Sequence, residues 1–474
     1  MNNKLTILLS VFVLTVGQQV RAQDEVPIFG LDECQQYAID NSFLMKNSTL
    51  DEELAESKVR ETIGIGLPQV TGSATVQHSP KLNRFFAEYS ENGSFALTPD
   101  QATQLGVEPG DVYAAENFFQ LKSNADLGVG VQQMIFNGSY IVGVKASKAY
   151  KELSVKRTNK ALGDLKADVA KAYFNYLINK DRLRLYDANV DRVEMLYNQT
   201  KAMYDNGVAE KIDVDRLKVT LNNSKADRDN VESLFDLSEK LLKFQINYPL
   251  EDSLVIAGTF DDVLERAVSD FDYEADYDLR PDYQVLLASR ELQKLDLKNK
   301  YVEALPTVYF FANAGWNTQS PTIGGLFATE SDFEEVGSFG RDKWYGYSLL
   351  GIKLNWNIFT GLQRHEQIQQ RRLDLEKIDN QIEWFEAQIE VEVKDTKSSF
   401  GNARSRLEVQ KENMELAESI LKNAEIKYKE GVGSNLELVD ADNSLTAAQT
   451  NYYNALFETV ISKIDLYRAL GRDK

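Results

Sequence analysis

The sequence predicts a mainly α-helical protein with a small transmembrane β part, built as one unit repeated twice. Three observations predict it. Two Phe-x-Gly turns, Phe136-Asn137-Gly138 and Phe359-Thr360-Gly361, each close a run of alternating apolar residues. A proline-free helical tract follows each turn and stops at a Tyr-x-x-Gly motif: Gly138 to Gly207 in the first copy, Gly361 to Gly431 in the second. The two arms are nearly equal, and at the helical rise each would reach roughly 100 Å.

In chain order, residues 1–22 read as a secretory leader: Lys4, an apolar stretch from Leu5 to Val16, and Val20-Arg21-Ala22 before the cleavage point. The first repeat spans 23–250. It opens with a helix over 31–66 that ends at Leu67-Pro68, because proline cannot continue a helix. Strands over 69–77 and 121–136 make a hairpin around a solvent-facing loop, 78–118. The long arm follows, then a tip, then a helical return over 208–247. Residues 251–281 form a short acidic linker. The second repeat, 282–474, restates the order: helix to Leu305-Pro306, strands over 307–316 and 344–359 around loop 317–343, arm, tip, and a return over 434–470.

The arms carry heptad-like seams. The first runs Leu162, Leu165, Val169, Ala172, Tyr176, Asn179, Leu183, Tyr186, Val190, Val193, Tyr197, Thr200, Tyr204. The second runs from Leu375 through Phe385, Ile389, Val393, Phe400, Leu407, Ala417 and Leu421 to Tyr428. Its 4-4 step at Phe385, Ile389 and Val393 is a stutter, which locally unwinds a left-handed supercoil. Each return covers only part of its arm, so the helices over 31–66 and 282–304 are expected to pair with the remainder. Aromatic bands (Phe118, Phe119; Tyr309 to Phe311, Trp316; Trp344, Tyr345, Tyr347) flank the strands and favour a lipid interface. Four strands are too few to close a barrel, so the barrel must be shared among subunits.

Composition excludes several functions. The net charge of −20 argues against nucleic-acid binding. With two distant histidines and a lone Cys34, no metal-ligand cluster, cofactor motif or catalytic constellation is present, so the expectation is no enzyme, no cofactor and no disulfide. Cys34 is expected to be a buried apolar thiol.

The stretch Tyr428-Lys-Glu-Gly431-Val-Gly-Ser-Asn-Leu436-Glu437-Leu-Val-Asp440-Ala441, with Tyr204-Asp-Asn-Gly207 and Ile212-Asp213-Val214 as its first-repeat counterpart, resembles the TolC-type outer-membrane efflux family. The resemblance covers essentially the whole mature chain. It implies a homotrimer whose subunits share a twelve-stranded β-barrel above an α-helical periplasmic tunnel, in the outer membrane of a Gram-negative bacterium. It implies as partners a periplasmic adaptor, an inner-membrane pump and outer-membrane lipid. Glu437 and Asp440 match the acidic pore constriction, and Tyr428 with Asp213 matches a gate tether. Asn206, Gly207, Val208, Gly431, Val432 and Gly433 match the adaptor-docking tips. Gly433 stands where the family carries an arginine, which removes a charge from that lock. The implied function is a passive exit duct for drug efflux or type I-like secretion. A secreted structural coiled-coil scaffold or adhesin is the alternative, and it leaves the banded hairpins and the duplication unexplained.

Overall fold

A computed structural model describes residues 28–90, 97–117, 119–268, 276–328 and 344–472. The leader, residues 91–96 and Phe118 of loop 78–118, residues 269–275 of the acidic linker and much of loop 317–343 lie outside the described residues. The chain starts at β1 (Ile28–Phe29), α1 (Leu31–Asn41) and α2 (Phe43–Ile65), then β2 (Gln69–His78), β3 (Arg84–Glu88), α3 (Pro99–Leu105), β4 (Val112–Glu116) and β5 (Ser123–Phe136). The first arm is α4 (Gly138–Asp205) and its return α5 (Lys211–Ile246). There follow β6 (Val255–Ile256), α6 (Phe260–Val268), α7 (Pro281–Val302), β7 (Thr307–Ser320), β8 (Tyr345–Asn355), the second arm α8 (Gln363–Lys429) and its return α9 (Asn435–Ala469).

Both halves contain a helix, a strand pair, an arm and a return: α2, β2 with β5, α4 and α5 in the first, and α7, β7 with β8, α8 and α9 in the second. The chain divides into two compact units. Of the described residues, one gathers those within 28–52, 154–287 and 381–472, and the other those within 53–153 and 288–380.

The first unit is helical, with its core where α4, α5, α8 and α9 meet. Leu165, Val169, Leu242, Ile246 and Leu456 are almost fully buried there. The predicted α8 seam is the buried one: Ile389, Phe400, Ala403, Leu407, Ala417, Leu421 and Ala424 all fall on it. On α4 the buried set is wider than a single seam and includes Ala170, Tyr173, Phe174 and Leu177, since several elements pack around this stretch. The Tyr176 and Tyr186 side chains pack between helices, as expected, but Tyr204 is exposed.

Residues 248–268 prove to be more than an acidic belt. Strand β6 pairs in parallel with β1, Ile28 opposite Val255 and Phe29 opposite Ile256, and Val263 and Ala267 of α6 are buried in the main core. Two-residue strands have no readable alternation, so no residue pattern marks them. Cys34 on α1 is fully buried. Burial first, then the Glu33 charge, pushes its thiol up to about 12, so it is unreactive at neutral pH.

The second unit holds a four-stranded antiparallel sheet in the order β2-β5-β7-β8. Its register sorts the side chains by face, because alternate residues of a strand point to opposite sides. Val70, Ala74 and Val76 of β2 share one face with Leu127, Val129 and Val131 of β5. Val308, Phe310, Ala312 and Trp316 of β7 and Leu350, Ile352 and Leu354 of β8 continue it. The opposite face carries Thr71, Ser73, Thr75, Asn124, Asp126, Gln132, Asn313, Asn317, Lys353 and Asn355, interrupted by Tyr309, Phe311, Tyr347 and Leu349. Strand β8 ends at Asn355, short of the expected Phe359. Trp356 leaves the sheet and donates its indole N–H to the Ala304 carbonyl at 3.0 Å.

Loop 78–118 is a correction. It contains a small folded module in which β3 pairs antiparallel with β4, and α3 covers one face of the pair. Thr98 and Gln101 form a capping box that starts α3, and Gly106 at φ 67° ends it. Tyr89, Leu97, Ala102 and Tyr113 form its core.

Candidate functional site

Both tips are built by the same local rule. In the first, Gly207 takes φ 74°, the Gly207 N–H donates to the Tyr204 carbonyl at 2.9 Å, and the Val208 N–H donates to Met203 at 2.9 Å. In the second, Gly431 takes φ 75°, with Gly431 donating to Tyr428 at 3.1 Å and Val432 to Lys427 at 3.0 Å. This double closure needs a left-handed residue, which explains why glycine stands at the fourth position of both motifs. Val208 and Val432 then project outward, 72% and 79% exposed. Each tip thus presents one exposed valine directly after its left-handed glycine.

Gly433 has its own reason. A Cβ there would stand 2.8 Å from the Lys427 Cβ and 3.0 Å from the Tyr428 nitrogen, so this turn has no room for the arginine the resemblance suggests. Ser434 caps α9, its hydroxyl accepting the Glu437 N–H at 3.1 Å. Glu437 and Asp440 lie three residues apart on α9, and both are exposed. They differ in surroundings. Lys427 reaches back from α8 to Glu437 at 2.8 Å, while the Asp440 carboxylate has no ion pair among the described residues.

Tyr428 and Asp213 are not brought together. The Tyr428 hydroxyl is hydrogen-bonded to Thr200 of α4 at 2.8 Å, and Asp213 lies 4.0 Å from Arg216 on its own helix. Thr200 is fully buried at this junction, beside a cluster of Leu196, Leu217, Leu421 and Leu438. The link between the arms at the tip is therefore a pair of hydroxyls rather than a tyrosine and a carboxylate.

Further from the tips, α4 and α9 are joined by a ladder of polar contacts that the seam analysis missed. Arg192 donates to Asp442 at 2.7 Å and to Asn189 at 3.0 Å, and Asn189 donates to Gln449 at 2.7 Å. Tyr186 pairs with Thr450 at 2.8 Å, and Tyr453 donates to Asp181 at 2.6 Å. Burial first, then that hydrogen bond and the Asp181 charge, push the Tyr453 phenol well above its ordinary range, so it stays a donor. Asn189, Asp442 and Gln449 are each at most 5% exposed. One signal could have found them: polar residues at otherwise apolar inward positions of two long helices.

Among the described residues no group of His, Cys, Asp and Glu could hold a metal ion, and no helix is long and apolar enough to cross a membrane.

The outer membrane efflux protein family model matches residues 35–243 and 284–472, one match per repeat. The toluene efflux pump outer membrane protein TtgC of Pseudomonas putida is 23% identical over 440 residues, covering 89% of this chain and 78% of its own length. The outer membrane protein TolC of Escherichia coli is 22% identical over 313 residues, 64% of this chain and 60% of its own. Among solved structures, CusC superposes with a TM-score of 0.70 at 14% identity, covering 93% of this chain and 92% of that one. The open state of the Neisseria gonorrhoeae MtrE outer membrane channel superposes with a TM-score of 0.67 at 18% identity, covering 94% and 89%.

Proposed function

The chain belongs to the outer membrane efflux protein family, outer-membrane transport proteins and not enzymes, and from that premise we propose that it is the exit duct of a tripartite export system. In this reading three copies share a twelve-stranded barrel, and their helices form a periplasmic tunnel that docks at its tips to an adaptor and an inner-membrane pump. One observation carries it: the two-faced sheet. An apolar face that runs across all four strands, with Leu350 and Ile352 each 73% exposed, suits hydrocarbon, and the mostly polar face suits a water-filled lumen.

The tips support the docking half of the proposal. Their exposed valines sit on rigid, glycine-closed turns, so an incoming helix pair would meet a fixed apolar knob. Glu437 and Asp440 are proposed to line the pore constriction, with Lys427 moderating the first of them. The proposed gate tether is Tyr428 with Thr200, in place of Tyr428 with Asp213. The duct itself does no chemistry, so what it exports follows from its pump. The export class, small toxic compounds as the name of the toluene pump relative suggests or secreted protein, is read out by reconstitution with each pump type.

The deciding experiment is membrane fractionation followed by planar-bilayer recording. A heat-modifiable trimer in the outer membrane that forms cation-selective pores supports the duct. Release with the soluble periplasmic fraction, and no conductance, would sink it.

A further inference from the structure

Where the sheet ends and the arms begin, the sheet-bearing unit holds a cavity of about 340 Å³. Its walls are the start of α4, the end of α7, the start of β7 and the segment that leads from β8 into α8. Two charged side chains line it, and each keeps bonding capacity unused. The Arg364 guanidinium donates from Nη2 to the Asn357 carbonyl at 2.8 Å and has no ion pair among the described residues. Glu303 is held by Lys300 at 2.8 Å and Asn299 at 3.2 Å, both on Oε1, and its Oε2 accepts nothing among the described residues.

The segment 356–362 divides by chemistry. Asn357 and Thr360 line the cavity, while Ile358, Phe359 and Leu362 are 74, 80 and 67% exposed. Leu362 takes φ 65°, a left-handed conformation that is sterically costly for leucine, so the turn imposes its place. Along the chain these residues directly follow Leu350, Ile352 and Leu354 of the apolar sheet face, which are exposed as well.

A guanidinium with donors to give matches phosphate oxygens in a forked geometry, and a free carboxylate oxygen matches an ammonium. The apolar side chains beside them gain free energy only if something apolar covers them. A soluble ion has no use for that belt, and an acyl chain alone has no use for the two charges. An amphiphile with a zwitterionic head uses both, and outer-membrane lipid is at hand for a protein of this family.

We propose that this junction is a headgroup site for a phospholipid carrying a phosphate and a primary ammonium. The phosphate sits on Arg364, the ammonium on Glu303 Oε2, and the acyl chains run along Ile358, Phe359 and the apolar sheet face. The proposal rests on the reading that the sheet spans the bilayer, and it sets the depth at which the sheet stops.

The test is native mass spectrometry of the full chain, purified in detergent and incubated with dioleoyl lipids bearing phosphoethanolamine, phosphoglycerol or no headgroup. The phosphoethanolamine lipid should be retained over the other two, and free phosphoethanolamine at the same concentration should not bind. Arg364→Gln should weaken retention by about tenfold. Glu303→Gln should abolish the preference for phosphoethanolamine over phosphoglycerol. Lys377→Gln, on α8 and outside the cavity, should change neither. If Arg364→Gln fails to fold, Glu303→Gln decides by its own criterion. Planar-bilayer recording of the same preparation separates this proposal from the duct. A chain that conducts but shows no preference for the phosphoethanolamine lipid overturns the headgroup site alone, and one that neither conducts nor retains lipid overturns both. Free phosphoethanolamine binding as tightly as the lipid, or cavity variants that behave like the control, also overturn the headgroup site.

Discussion

The Arg192 guanidinium meets the Asp442 carboxylate at 2.7 Å, and through it a buried acid on α9 is held by a partly buried base on α4. Breaking a pair like this leaves one charge without its partner in a poorly hydrated place. Arg192→Ala should lower stability by about 3 kcal/mol and Asp442→Asn by about 2 kcal/mol. A double-mutant cycle read by unfolding in detergent should show clear coupling. Additive losses would mean that each residue acts alone.

At the tips, the Tyr428–Thr200 hydroxyl pair is the contact to test. Tyr428→Phe and Thr200→Val should each raise resting conductance in planar bilayers, while Asp213→Asn should not. Loss of one such hydrogen bond is worth about 1 kcal/mol, enough to shift a closed-to-open ratio about fivefold. An effect of Asp213→Asn alone would restore the carboxylate to the tether.

Lys427 makes the two acids unequal, which gives the pore proposal a sharper test. Glu437→Gln with Asp440→Asn should reduce cation selectivity. Lys427→Gln should increase it, because it frees the Glu437 charge. Asp440→Asn should cost more selectivity than Glu437→Gln. If none of the three moves the reversal potential, both acids belong to a solvated helix start.

The valines are predicted to serve docking and not folding. Val208→Trp and Val432→Trp should abolish export with the assembled pump while leaving channel yield and single-channel conductance unchanged. Both side chains are exposed, so the change costs the isolated chain little. Parallel loss of yield and export would assign them a structural role.

A pH dependence follows from Asp282. Burial alone would raise its pKa, yet Arg280 grips both its oxygens at 3.1 and 2.7 Å and the Tyr283 N–H donates at 2.9 Å. Together they hold the folded value below the ordinary one of about 3.9. The stabilisation is thus present above that ordinary value and is lost as pH falls through the lower folded one. Unfolding at pH 7 and 5 should show the same deficit for Asp282→Asn, and the deficit should shrink in stronger acid. A deficit that persists there would rule out this linkage.

What could be read from the residues was whatever repeats or has a period. The α8 seam, the Leu-Pro helix ends and the Tyr-x-x-Gly turns each rest on a local rule, and each stands where it was expected. The β3–α3–β4 module was read as loop because its strands are five residues long and its core of Tyr89, Leu97, Ala102 and Tyr113 comes from scattered positions. Thr200 was placed on the seam, but its partner could not be read, because a contact to Tyr428 spans two arms. The same holds for Arg192 with Asp442.

The sheet ends on β2 at one side and β8 at the other, and among the described residues neither has a second neighbour. One chain therefore leaves two rows of backbone donors and acceptors that hydrocarbon cannot hydrate. In the proposed shared barrel, completing them from another molecule would make folding of this unit and association a single equilibrium. Its midpoint should then move with protein concentration, as an assembly's does, and not stay fixed as a monomer's would.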